Sequence, residues 1–541
     1  MGAILPVRHQ APLPADLICR DAPDPEAIEL DVLIVGAGPA GLACAIQLAK
    51  SGPDLAIGVL EKAGALGEHS LSGAVVNPVA LRALFPDKQD RDFPFRQQVE
   101  GEAVYFMTAS GSTRIPTPPT MKNHGNYTAS LCELVRWLGE QAEALGVNIF
   151  PGFPAQSLLV AGQRVVGVRT VRGGLDREGN PTDVVQEPTD LVGKVVVLAE
   201  GTRGPLAQAW RDWQGIGSEN PQIFALGVKE VWEVERPLDR VIHTLGWPLP
   251  SDAFGGSWCY PMGPGQLSIG LVVGLDYHEA GLDVHESLQR MKLHPLFRDL
   301  LAGGKLLEWG AKTIPEGGYH AIPERLSGDG LVMIGDTAGF VDVPSLKGIH
   351  YAMESGMLAA TAIAAALQSA GTGEASQLAA YDRAVRQSRI VADLHVTRNM
   401  RLAFKHGLFG GALRAGLMTL SRGAFPGGRI ATPTDAETPR IMQPAPPFVP
   451  DNVRTFSKVD AVFKSGNATR DTIPSHLIVG PDIIGDVADF YAHLCPAGVY
   501  ERHGDTLRVN PPNCVDCKAT DVLGPRWTPR EGGSGPKYRL M

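Results

Sequence analysis

The chain has 541 residues, 44% of them apolar and 20% charged, enough to bury more than one core. Its 49 Lys and Arg against 58 Asp and Glu give a formal net charge of −9, which argues against nucleic acid as a partner. Seven cysteines are too few for a disulfide scaffold, so a reducing compartment is expected.

Residues 1–28 read as an N-terminal extension. They contain no apolar run suited to a signal peptide, and no uninterrupted apolar stretch elsewhere is long enough to span a bilayer. The first periodic segment is a strand, Asp31 to Val35. Gly36-Ala-Gly38-Pro-Ala-Gly41 follows directly and opens a helix that runs to Gly52. A second strand, Ala56 to Leu60, ends at Glu61, 20 residues after Gly41. In this order the first glycine makes the turn, the second admits a pyrophosphate and the third lets helix pack on strand. The helix N-terminus offers free amides to phosphate, and Glu61 is placed to accept from ribose hydroxyls.

Two later segments favour FAD over NAD. Lys194 to Ala199 is a strand leading into Glu200-Gly-Thr-Arg-Gly204. Gly330 to Asp336 is another, with Asp336 placed for the ribityl or phosphate-proximal hydroxyls. A buried helix is predicted from about Ile349 to Gln368. Its N-terminus, at Gly348 and Ile349, can aim amides at the flavin pyrimidine ring. From Leu394 to Thr434 the chain has no acid. Arg398, Arg401, Lys405, Arg414, Arg422 and Arg429 alternate with leucines and phenylalanines. That composition suits a membrane interface, with a basic solvated edge as the other reading.

Cys19, Cys44, Cys132 and Cys259 are scattered, whereas Cys495, Cys514 and Cys517 are clustered in the C-terminal region. Three such thiols can hold iron and sulfide, but a [4Fe–4S] cluster takes four ligands. Position 520, three residues after Cys517, is threonine. The open readings are a [4Fe–4S] centre with an oxygen ligand, a [3Fe–4S] centre, or a labile or absent cluster. Asp521 is the expected oxygen donor, ahead of Thr520. A hairpin at Val499–Glu501 and Thr506–Asn510 is expected beside the thiols, with Tyr500 donating toward them.

The chain resembles electron transfer flavoprotein–ubiquinone oxidoreductases. The motifs that carry this are GEHSLSGA at Gly67, NHGNY at Asn123, GEQAEALGV at Gly139, TLGWPL at Thr244, GGSWCY at Gly255, GLVVGLDY at Gly270, EGGYHAIP at Glu316, CPAGVY at Cys495, NCVDCK at Asn513 and EGGSGPKY at Glu531. The resemblance implies an α/β and α+β architecture: a Rossmann-like FAD domain of the glutathione-reductase type, an interleaved quinone domain and a C-terminal ferredoxin-like domain. The expected ranges are 29–110, 190–235 and 320–370 for FAD, and 111–189 and 236–319 for quinone. Residues 371–435 are expected as a helical membrane-surface segment and 436–541 as the iron–sulfur domain. Ser72 and Gly73 are implied at the flavin, and Gly246, Trp247, Gly255 and Gly256 at the quinone. The implied activity is that of an electron-transferring-flavoprotein dehydrogenase, reducing ubiquinone with electrons from electron transfer flavoprotein. The implied location is a membrane surface, on the cytoplasmic face in a bacterium or the matrix face in a mitochondrion. Thr520 stands where the family has its fourth cysteine. Asp342-Val-Pro344 stands where many relatives have Asn-Val-Pro, and Asp342 is open to either a flavin-facing or a solvent-facing reading. A flavin hydroxylase or prenyl reductase, or a carrier without quinone turnover, is the alternative.

Overall fold

The structure, a computed structural model, describes residues 2–73, 75–370, 375–443 and 447–541. Ala74, at the end of the Gly67 motif, and 371–374, at the start of the expected helical segment, lie outside them.

Two sheets organise the molecule. The first has nine strands around a parallel centre of Leu331–Met333, Asp190–Leu198, Ile28–Val35, Ile57–Glu61 and Asn148–Pro151. Val32, Leu33, Ile34 and Val195 to Leu198 are fully buried. Both faces of these strands are covered, which is why they read as unbroken apolar runs rather than alternating ones. The helices Pro39–Ser51 and Ile349–Ala370 pack against each other beside this sheet. They approach so closely at Gly356 that a Cβ there would lie 2.3 Å from the Ala40 carbonyl oxygen. The N-terminal ends of both helices consequently meet one cavity.

The second sheet has seven strands. Their order is Lys305–Pro315, Phe224–Glu233, Gln266–Gly274, Gly255–Pro261, Val241–Gly246, Glu102–Met107 and Ser112–Ile115. All neighbours are antiparallel except Val241–Gly246 against Glu102–Met107.

The expected ranges do not follow the sheets. Phe224–Glu233 and Glu102–Met107 are strands of the second sheet. Asn148–Pro151 and the hairpin Ala155–Ala161 with Arg164–Thr170 are strands of the first. Ile18–Cys19, within the expected extension, pairs with Ala155–Ala161 in the first sheet. The chain shuttles between sheets, and strand periodicity carries no mark of which sheet receives each strand.

The C-terminal unit packs on the second sheet. Tyr491, Leu494, Val515, Leu523 and Trp527 share one apolar core with Phe224, Tyr277 and Trp309. The expected hairpin is present as Tyr500–His503 with Thr506–Val509.

Candidate redox centres

The first centre is built on the turn after Ile28–Val35. Gly36 adopts φ +108°, and a Cβ there would meet the Ala199 carbonyl oxygen at 2.3 Å. A Cβ on Gly41 would sit 2.0 Å from the Gly36 oxygen. These two glycines are fixed by close backbone approach. Gly38 is different: its φ is an ordinary −78°, and nothing lies within 4 Å of where its Cβ would be. That open space belongs to a cavity of about 770 Å³. No side chain caps the helix that starts at Pro39, so its first amides are free to bind an anion. Glu61 sits behind the turn, accepting from the amides of Ala37 (3.1 Å) and Ala63 (2.9 Å).

Of the sites expected from sequence, Gly38, Ser72, Gly73, Asp336, Gly348 and Ile349 all line this cavity, as do Gly255 and Gly256. Burial pushes the Asp336 carboxyl up to about 6, opposed by Lys312. The cavity's volume, the uncapped start of Pro39–Ser51 and the open Gly38 position fit an FAD.

Gly36, Gly41 and Glu61 lie behind the lining, in the turn itself, and three further expected residues lie elsewhere. Gly204 precedes the helix Pro205–Gln214, and a Cβ there would clash with the Glu200 carboxylate at 2.3 Å. Glu200 uses that carboxylate to accept from the amides of Leu206 (3.2 Å) and Ala207 (2.8 Å), so Gly204 serves a helix cap. Gly246, at φ +90°, turns against the Met107 carbonyl, and Trp247 packs 5.6 Å from the His294 ring. The turn carries both away from the cavity.

Asp342 matches neither of its two readings. It is only 6% exposed, and its carboxylate accepts from the Ser345 hydroxyl (2.5 Å) and from Thr397 (3.4 Å). Its neighbours Val341 and Val343 line the cavity, and Asp342 itself does not. Burial raises its carboxyl above the ordinary range.

Several cavity residues escaped sequence reading. His243 and Tyr260 join Nε2 to hydroxyl at 2.5 Å. Lys347 is pushed down to about 8 by burial. Lys312 enters from Lys305–Pro315, and a lysine in the interior of that largely apolar strand was the one available signal.

That same strand reaches the second centre. Lys312 and Ile314 face the cavity. Between them, Thr313 donates from its amide (3.0 Å) and hydroxyl (2.9 Å) to the Cys517 carbonyl. Lys312 Nζ donates to the Asp516 carbonyl at 3.3 Å. One strand thus separates the flavin cavity from the cysteine loop.

Cys495 follows the helix Gly485–Leu494, and Cys514 and Cys517 follow the turn Pro511–Asn513. Asp516 (φ 55°) and Lys518 (φ 63°) adopt left-handed backbone, which wraps the loop tightly. Cys495, Cys514, Cys517, Thr520 and Tyr500 surround one small enclosed cavity. Burial raises all three thiols, Cys514 to about 12, with Arg530 opposing at Cys514 and Lys312 at Cys517. The Tyr500 hydroxyl is buried without a well-formed hydrogen bond. Three thiols and an orphaned donor around a closed space fit an iron–sulfur cluster.

Asp521, the expected oxygen donor, points away. Its Oδ2 pairs with Arg203 Nε at 2.6 Å, and its Oδ1 accepts from the Trp527 amide at 3.0 Å. The short helix Ala519–Leu523 turns adjacent side chains to different sides, and Thr520 is the one that faces the thiols. His476, Cys514 and Asp516 also lie together. However, Asp516 is taken by Lys62, Arg530 (2.8 Å) and Trp527 Nε1 (2.9 Å), and His476 meets Arg530 at 3.0 Å, so cations fill that corner.

Family models match two parts of the chain that carry these features. The model described as "ETF-QO, ubiquinone-binding" covers residues 224–314, and "Electron transfer flavoprotein-ubiquinone oxidoreductase, 4Fe-4S" covers 452–539. A "Thi4 family" model matches residues 24–88 around the glycine turn. The chain is 38% identical to the mitochondrial electron transfer flavoprotein-ubiquinone oxidoreductase of Arabidopsis thaliana, over 95% of this chain and 85% of that protein. It is 36% identical to the corresponding protein of Pseudomonas aeruginosa, over 95% and 100%. Among solved structures it resembles a geranylgeranyl bacteriochlorophyll reductase-like protein of Thermoplasma acidophilum, with TM-score 0.55, 20% identity and coverage of 74% and 96%. A flavin-dependent brominase gives TM-score 0.52, 20% identity and coverage of 73% and 94%, and both likenesses concern fold alone. With its two redox sites joined by one strand and relatives matched along nearly their whole length, the chain belongs to the electron transfer flavoprotein–ubiquinone oxidoreductase family.

Proposed function

We propose that the chain accepts electrons from reduced electron transfer flavoprotein and reduces ubiquinone to ubiquinol, using FAD and an iron–sulfur cluster. The observation that carries this reading is Lys305–Pro315, which contacts the flavin cavity with Lys312 and Ile314 and the cysteine loop with Thr313. When bound, the flavin supplies conversion between one-electron and two-electron steps.

The chain's own residues hold and tune the reactants. The free amides at Pro39–Ser51 and the open position at Gly38 receive the pyrophosphate, Glu61 the adenosine ribose and Asp336 the hydroxyls between them. The N-terminus of Ile349–Ala370 lines the cavity and would favour negative charge on a flavin ring held there. Lys312 adds a buried positive charge between the two centres. Gly255 and Gly256 line the cavity, their missing side chains admitting the Val272 and Thr244 carbonyls of the neighbouring strands. Quinone reduction also takes up protons, and the Tyr260 hydroxyl and Lys347 hold protons at the cavity wall. In this reading the nine-stranded sheet is a glutathione-reductase-type FAD domain, the seven-stranded sheet a quinone domain and the C-terminal unit ferredoxin-like.

The reading includes peripheral attachment to a membrane, on the cytoplasmic face in a bacterium or the matrix face in a mitochondrion. No helix among the described residues is long and apolar enough to cross a bilayer. The support is the cavity mouth. Ala412, Ala415, Gly416 and Leu420 line it, and Leu413, Leu417, Leu420 and Phe425 are exposed beside it. A quinone tail can pass from lipid into the cavity there. Arg401 and Lys405 do not serve as headgroup contacts. Arg401 is buried between Asp276 (2.8 Å) and Glu316 (2.6 Å), and Lys405 donates to Thr432. Arg414, Arg422 and Arg429 are the exposed cations of the stretch, and Arg429 donates to Asn220 at 2.9 Å.

The test is steady-state turnover. Purified protein should show a flavin spectrum and reduce a short-chain ubiquinone with electron transfer flavoprotein as donor. Protein that lacks flavin, or that is inert with that donor and rapidly reduced by NADPH, would overturn the reading.

A further inference from the structure

A cubane needs four ligands, and the cavity wall offers three thiols. The other polar side chains at that wall that could supply a fourth are Tyr500, Lys518, Thr520 and Trp527. Lys518 Nζ is committed to the carbonyls of Thr202 (3.0 Å) and Arg203 (3.1 Å), and Trp527 Nε1 to Asp516 (2.9 Å). The two nearby carboxylates are also committed, Asp516 to Lys62 and Arg530 and Asp521 to Arg203. Two hydroxyls remain. Thr520 follows Cys517 at the same three-residue stride by which Cys517 follows Cys514, and it faces the same space. Tyr500 also lines this space, and its buried hydroxyl, which makes no well-formed hydrogen bond, lies beside the Thr520 side chain.

We propose that Thr520 Oγ1 holds the fourth iron of a [4Fe–4S] centre in this chain, and that this iron is selectively exchangeable. The proposal rests on the iron–sulfur reading above. A threonine oxygen is a harder donor than thiolate and suits iron–sulfur chemistry less well, so one corner is bound more weakly than the other three. Tyr500 then donates its hydrogen bond to the Thr520 oxygen. Oxidation by ferricyanide removes one electron from [4Fe–4S]²⁺. The resulting [4Fe–4S]³⁺ releases Fe²⁺ and leaves [3Fe–4S]¹⁺, the ferricyanide becoming ferrocyanide. Ferrous iron with a reductant reverses the step.

The experiment uses full-length protein purified without oxygen, as wild type, Thr520→Cys, Thr520→Val and Asp521→Asn. Stoichiometric ferricyanide is added, and iron per chain and the EPR spectrum are read before and after. Wild type should fall from about four irons to about three and gain the oxidised-state signal of a three-iron cluster. Thr520→Cys should keep all its iron, Thr520→Val should already hold the three-iron form, and Asp521→Asn should behave as wild type. Wild type that keeps its iron as firmly as Thr520→Cys overturns the proposal, as does loss of the fourth iron in Asp521→Asn but not in Thr520→Val. A cluster that loads in Thr520→Cys but not in wild type overturns the threonine ligand and leaves the iron–sulfur reading intact. No iron in either overturns both.

Discussion

At the scale of single residues, glycines of one motif do different work. Gly38 opens on the cavity with unstrained backbone, whereas Gly41 is pressed on the Gly36 carbonyl. Gly38→Val should therefore fold with near wild-type thermal stability but lose FAD. The flavin-to-protein absorbance ratio after gel filtration should drop at least tenfold, and stoichiometric flavin in the variant would show that the cofactor lies elsewhere. Gly41→Val should not fold, seen as insoluble expression. The sequence marked these glycines because turn, strand and helix sit together in the chain. It favoured Asp521 over Thr520 because a carboxylate is the better donor, and could not see that Arg203, 318 residues away, holds the Asp521 carboxylate. Arg203→Ala leaves that carboxylate buried without its strongest partner. A loss of about 3 kcal/mol is expected in denaturant unfolding, and a loss under 1 kcal/mol would mean the pair is not closed.

At the scale of elements, Lys305–Pro315 and Leu408–Leu420 matter most. Alternation along the first sends Lys312 and Ile314 to one side and Thr313 to the other, so a single strand serves both centres. Nothing in its sequence names the layers it touches. The helix Leu408–Leu420 was legible as apolar and acid-free, but not in its orientation. Met418 turns inward to Met400 and Ala403, while Leu413, Leu417 and Leu420 are left outside. The basic residues misled for the same reason, since Arg401 finds its acids just past the ends of strands far off in the chain. Replacing Leu413 and Leu420 together by serine should reduce flotation with liposomes at least fivefold and leave flavin content unchanged. Undiminished flotation would place the membrane face elsewhere.

At the scale of the whole molecule, the interleaving of two sheets is what linear domain ranges failed to capture. The C-terminal ends of the strands at Val35, Glu61 and Leu198 were legible to within a residue, while partners chosen across hundreds of residues were not. The junction of the second sheet with the C-terminal unit makes a pH prediction. Asp435 Oδ2 accepts from the Phe224 amide at 2.7 Å, and Arg440 donates to the carbonyls of Asp435 (3.2 Å) and Leu275. Burial first, then Asp276, pushes the Asp435 carboxyl up to about 8. Folding thus favours its protonated form. The contribution is complete below the unfolded value of about 4 and is lost as pH rises through about 8. Asp435→Asn should flatten the fall in apoprotein stability between those limits. An unchanged slope in pH-resolved denaturant melts would assign the dependence to other groups.

The central claim is that one strand couples a flavin site to an iron–sulfur site on a route from electron transfer flavoprotein to ubiquinone. Anaerobic rapid mixing with reduced electron transfer flavoprotein tests it most directly, following flavin absorbance by stopped flow and the cluster by freeze-quench EPR. The account predicts that both centres gain electrons within the turnover time and lose them when a ubiquinone analogue is added. A flavin that stays oxidised in the presence of the reduced donor, or reduced centres that ubiquinone does not reoxidise, would contradict it.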